Sequence, residues 1–160
     1  MTEQGSFGVI ESLLKKHSAD VNVAGPKDEA LISRAELFLG VRFPPSYREF
    51  LRRWGTIGFG PEEIYGLTGE KFETGAAPNG IWFTAQERAR FGLPRGLVVV
   101  VNVDGDQYYC IDTTHKGPDG ESPVVIWDVP SRTIIGTKSR SFGEFLASRL
   151  HEAAELIEAD

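Results

Sequence analysis

Six carboxylates fall between Gly96 and Pro130 (Asp104, Asp106, Asp112, Asp119, Glu121 and Asp128), with Lys116 as the single lysine or arginine among them. Clustered carboxylates are the raw material of acid–base hydrolysis and of cation binding, but each use demands a defined geometry. In "NVDGDQ" the residues Asn102, Asp104 and Asp106 have the spacing of calcium-loop ligands. Gln107 stands where that loop needs glycine, and Thr113 where it needs a bidentate glutamate, so no metal is expected. Cys110 is the only cysteine and lies in an apolar run, where a thiol is a small buried hydrophobe; it can form no internal disulfide. His17, His115 and His151 are scattered, with no neighbour in sequence to orient one as a base or to complete a zinc site. "GFGPEE" lacks the third glycine of a dinucleotide fingerprint, and neither a nucleophile elbow nor a phosphate loop occurs. A non-enzyme without a cofactor is expected, and a carboxylate enzyme of unfamiliar type is the least favoured alternative.

What the carboxylates have beside them is aromatic: Tyr108, Tyr109 and Trp127. Anchors that fill pockets, set in a field of one sign, suit recognition of a basic protein partner. Asp104, Asp106, Tyr108, Asp112, Asp119, Glu121, Trp127 and Asp128 are therefore the expected partner-binding region. Solvated turn tips remain the competing reading for each acid, since Asp104 and Asp119 both precede glycine. A net charge of −6 argues against direct nucleic-acid binding. With one cysteine, no basic leader before an apolar stretch and no apolar run near the ~20 residues of a membrane span, a cytoplasmic location is expected.

The elements that must position these residues read as follows. At 160 residues, 41% hydrophobic and 25% charged, residues 1–160 are expected to form one globular domain. Phe7, Ile10, Leu13 and Leu14 mark a first amphipathic helix, and Ala30, Leu31, Arg34, Leu37 and Phe38 mark one face of a second that Gly40 ends; "ADVNVAGP" connects them. In "FPPSYREFLRRWG" a proline opens a third helix, Tyr47, Phe50, Leu51 and Trp54 form its aromatic stripe, and Gly55 stops it. The stripe is expected to clamp the helical layer onto the sheet. A short strand is expected around Ile64 to Leu67, a loop over 69–80 and a helix in "IWFTAQERARFGLP". "LVVVVNVDGDQYYCID" is a hairpin whose Asp-Gly turn sets Val103 opposite Asp106, Val101 opposite Tyr108 and Val99 opposite Cys110. "SPVVIWDV" and "RTIIGT" add strands. The closing helix carries Phe142, Phe145, Leu146, Leu150 and Ala153 inward. The order predicts an α+β fold, helices packed around a mostly antiparallel β-sheet.

Three stretches in order, "LGVRFPPSYREFLRRWGTIGFG", "GLVVVVNVDGDQYYCIDT" and "GESPVVIWD", resemble the SUKH superfamily, the Smi/Knr-like domains, and among them the YobK-type bacterial antitoxins. The resemblance covers about residues 28–150. Phe43, Pro44, Tyr47, Phe50, Leu51, Trp54 and Gly55 match its helix signature, with Phe43 in place of a leucine and Pro45 as an extra proline. It implies a cytoplasmic binding domain without catalysis, typically an immunity protein that occludes a cognate polymorphic toxin domain, often a nuclease. Relatives that act as regulatory or scaffolding modules keep that alternative open.

Overall fold

The computed structural model describes residues 3–159. Five helices, α1 (Glu3–Lys16), α2 (Glu29–Leu39), α3 (Pro45–Arg53), α4 (Gly80–Phe91) and α5 (Phe142–Ala159), accompany seven strands, β1 (Val21–Val23), β2 (Ile57–Phe59), β3 (Glu62–Ile64), β4 (Leu97–Val103), β5 (Gln107–Asp112), β6 (Val124–Asp128) and β7 (Thr133–Ser139). The fold is α+β, with every strand pair antiparallel. There are two sheets: a small one ordered β1-β2-β3 and a meander ordered β4-β5-β6-β7. No helix among the described residues is long and apolar enough to cross a membrane.

The small sheet departs from the sequence expectation. Its first strand lies inside the expected connector, and the strand expected at Ile64 to Leu67 is instead the end of a β2–β3 hairpin turned by Gly60 and Pro61, with Phe59 opposite Glu62. Glycine is favoured at that turn because Gly60 has φ +56°. Residue 65 then leaves this sheet and donates its backbone N–H to Val100 O of β4 at 2.8 Å.

Helix α2 is rotated from the expected face. Leu31, Ile32, Ala35 and Leu39 are buried, whereas Leu37 is 83% exposed and Ala30 and Arg34 also face solvent. Its start is fixed by the Asp28 carboxylate, which accepts the Leu31 N–H at 2.8 Å, and its end by Gly40 in the left-handed region.

Helix α3 places its stripe as the spacing requires, with Tyr47, Phe50 and Leu51 fully buried. What the stripe grips is chiefly helical. Tyr47 and Phe50 pack on Phe142 of α5 at 4.9 and 5.2 Å between ring centroids, and Trp54 stacks on Phe7 of α1 at 6.0 Å. The Tyr47 hydroxyl donates to the carbonyl of Tyr65 at 3.0 Å, which ties the clamp to the segment after β3 that borders β4. On the opposite face Arg48 pairs with Glu29 and Glu36, Arg52 with Glu29 and Glu49, and Arg53 with Glu11 and Glu49, so the three arginines lace α1, α2 and α3 together.

The β4–β5 hairpin has a different register from the one its turn implies. Val103 pairs with Gln107, Asn102 with Tyr108 and Val101 with Tyr109, and only Val99 opposite Cys110 is as expected. Asp106 is held in the turn as an extra residue, and a bulge at Val100 cancels the offset. The bulged Val100 presents the carbonyl that Tyr65 N–H meets. Consequently Val101 joins Tyr109 and Ile111 on the main core face, and the second face is Leu97, Val99, Tyr108, Cys110, Val125 and Trp127.

Candidate protein-binding surface

A meander puts alternate turns at opposite ends of the sheet. The β4–β5 turn and the β6–β7 turn share one end, and the β5–β6 loop lies at the other. The eight residues expected to form one partner surface are therefore divided by place and by burial. Asp104, Asp106 and Asp128 gather at the turn end, the first two exposed and the third half-buried. Asp119 is exposed at the loop end, while Asp112 and Glu121 are buried there. Tyr108 and Trp127 are buried beneath α4 rather than offered as anchors.

Local chemistry builds the turn end. Asp104 and Gly105 both have positive φ, +53° and +77°, which a short polar side chain and a glycine tolerate. Asn102 Oδ1 accepts the Gly105 N–H at 2.8 Å, which ties this side chain to the turn. The Asp106 carbonyl accepts the Val129 N–H at 2.9 Å, joining the two turns, and Asp128 Oδ2 accepts the Ser131 N–H at 3.1 Å. The carboxylates of Asp104 and Asp106 take part in none of these bonds and project charge at solvent.

Beside this end, between α4 and strands β5 and β6, lies a cavity of ≈ 260 Å³ lined by Glu87, Phe91, Tyr108, Trp127, Val129 and Arg132, among others. Glu87 was not legible as a site residue: it stands on a helix that reads as ordinary, and only the fold brings it to Tyr108. The Tyr108 hydroxyl donates to Glu87 Oε1, and burial, with that carboxylate next in importance, pushes the phenol well above its usual range. Cys110, on the same sheet face, is fully buried, and burial likewise raises its thiol, which leaves it inert as a nucleophile.

At the loop end the Asp112 carboxylate accepts from Thr114 Oγ1 at 2.6 Å and Thr114 N–H at 3.1 Å, and pairs with His115 Nδ1 at 2.8 Å. Burial alone would raise this carboxyl, but the three bonds from Thr114 and His115 outweigh it and hold it below the usual aspartate range. Glu121 accepts from Ser46 and is an internal fastener. Two broader clefts flank it, ≈ 490 and ≈ 600 Å³, and Asp119 lines both. Among the described residues no group of three or more His, Cys, Asp or Glu could hold a metal ion.

A family model described as SMI1-KNR4 cell-wall, SUKH_5, matches residues 8–151. The chain belongs to this SUKH family. A crystal structure of a protein from Pseudomonas syringae pv. tomato is similar to it, with a TM-score of 0.62 and 19% identity over 84% of this chain and 93% of that one. At that identity the likeness concerns the fold alone, and it covers most of both chains. Within the SUKH chain the signature helix α3 lies away from the acidic turn end: its aromatics are internal, and its arginines are engaged in ion pairs.

Proposed function

We propose that this SUKH protein is an immunity protein of the bacterial cytoplasm that neutralises a cognate toxin domain, a basic nuclease, by covering it, without catalysis of its own. The observation that carries the reading is the cluster Asp104, Asp106 and Asp128 at one end of the meander, set on two turns that are bonded to each other. Nucleases need a cationic groove for the phosphate backbone, and a rigid acidic end can occupy such a groove with fast, salt-sensitive association. Family membership supports the same reading. The surface differs from the one expected from sequence: it is a sheet end with three carboxylates, and Tyr108 and Trp127 support it from within.

The test is to capture the tagged protein from its own cells at low salt and assay the co-purifying polypeptide for nuclease activity before and after the SUKH protein is stripped away. A basic polypeptide that becomes active on release, and is silenced again at a 1:1 ratio, supports the proposal. Recovery of a housekeeping complex without latent toxicity would overturn it in favour of a regulatory or scaffolding module.

A further inference from the structure

The cavity under α4 has the chemistry of a receptor for one basic side chain. Glu87 is 8% exposed, and while Oε1 accepts the Tyr108 hydroxyl, Oε2 accepts no hydrogen bond among the described residues. That oxygen keeps contact with solvent through the cavity, so it is open to a charged donor that enters there. Tyr108, Trp127 and Phe91 line the same cavity, and aromatic rings attract cations. Its ≈ 260 Å³ falls below the roughly 300–1,000 Å³ of small-molecule sites and suits a single side chain. The rim is continuous with the acidic end, because Val129 lines the cavity and its N–H is bonded to Asp106.

We propose that this cavity takes an arginine side chain of the protein partner, the guanidinium pairing with Glu87 Oε2 and stacking against Trp127. This rests on the reading of a basic protein partner. Arginine suits the site better than lysine because its planar fork both stacks on an aromatic face and donates to a carboxylate. Arg132 stands at the rim, exposed, at φ +56° and with no ion pair to an acid among the described residues. Its like charge opposes the incoming guanidinium, so its removal favours binding.

The probe is N-acetyl-arginine amide, titrated into isotope-labelled protein while the indole N–H of Trp127 is followed, with Trp127→Phe identifying that signal among the three tryptophans. A saturating shift confined to Trp127 and its surroundings is expected, with none from N-acetyl-norleucine amide. Glu87→Gln, in which an amide oxygen still accepts the Tyr108 hydroxyl, should weaken binding about tenfold, as loss of a charge-assisted pair implies. Arg132→Ser should tighten it, and as a surface substitution it keeps the test open if the first variant folds poorly. No saturable shift, wild-type binding by Glu87→Gln, or weaker binding by Arg132→Ser would overturn the proposal. The probe is independent of any toxin, so a failure here leaves the immunity reading standing, and a failed capture leaves the cavity tested.

Discussion

Glu121 and Ser46, 75 residues apart, are joined by two hydrogen bonds: the Ser46 N–H donates to Glu121 Oε2 at 2.9 Å and the Ser46 hydroxyl to Oε1 at 2.7 Å. Ser46 Oγ in turn accepts the Gly143 N–H at 3.1 Å. The residue at the N-cap of helix α3 is Pro44, which has no side chain able to cap it, and no acid stands in the first turn. A carboxylate from the distant β5–β6 loop supplies the missing acceptor and the negative charge that a helix N-terminus favours. Through Ser46 the same group reaches the start of α5.

The pair should act as one unit. Ser46→Ala removes the hydroxyl's bonds to Glu121 Oε1 and to the Gly143 N–H, both in a buried setting, and is expected to lower stability by about 1–3 kcal/mol. Glu121→Gln keeps one acceptor oxygen but loses the charge, so its effect should be smaller than that of Glu121→Ala. Urea denaturation of Ser46→Ala, Glu121→Ala and the double variant closes a cycle. A coupling near zero would show that the two groups contribute independently and that the remote cap is incidental.

Gly55 offers a second fold test. Its φ is +73°, and a Cβ built there would lie 2.6 Å from the carbonyl oxygen of Gly25 and 2.7 Å from that of Leu67. Gly40 has φ +69° with nothing within 4 Å. Alanine at Gly40 meets backbone strain alone, of order 1 kcal/mol. Alanine at Gly55 meets the same strain and two backbone oxygens, so the thermal midpoint of Gly55→Ala should fall well below that of Gly40→Ala. Equal midpoints would mean that the chain around Leu67 yields freely.

These particulars mark what a sequence discloses. Helices α1, α3, α4 and α5 and the β4–β5 hairpin were legible because their signals are local: apolar spacing, a proline start, glycine ends, an Asp-Gly turn. The face of α2 was misjudged because Leu37 and Phe38 are as apolar as Ile32 and Leu39, and only docking decides between them. The register was misjudged because a bulge at Val100 answers a contact with Tyr65, 35 positions away in the chain. The acids were legible as a group but not by role. Nothing local separates Asp104, open to water, from Asp112, enclosed by Thr114 and His115, or from Glu121 beneath α3. Glu87 was silent for the same reason.

Acid should find Asp112. Its carboxyl lies below the usual range in the folded protein, whereas in the unfolded chain it returns to about 3.9. A depressed carboxyl stabilises the fold fully above the unfolded value, and that contribution is lost as the pH falls through the folded value. Asp112→Asn should therefore be less stable than the parent at neutral pH, and the gap should narrow below about pH 4. Urea midpoints measured from pH 7 down to pH 2 would show it. A gap independent of pH would assign the loss to packing and not to charge.

The turn end and the loop end should separate in binding. β5 spans six residues, so Asp119 lies on the order of 20 Å from Asp106, more than two Debye lengths at physiological salt. Asparagine keeps an oxygen acceptor, so replacing Asp104, Asp106 and Asp128 together preserves the Ser131 bond and the left-handed turn while removing three charges. With the captured toxin domain, this triple variant should associate about tenfold more slowly at low salt and lose much of the salt dependence of its association rate, at nearly unchanged stability. Asp119→Asn, whose side-chain oxygen can still accept the Glu121 N–H, should leave the rate where it was. If instead Asp119→Asn slows association and the triple variant does not, the partner sits on the clefts at the loop end. The turn end would then be ordinary solvated surface, and the Glu87 cavity beside it would lie outside the interface.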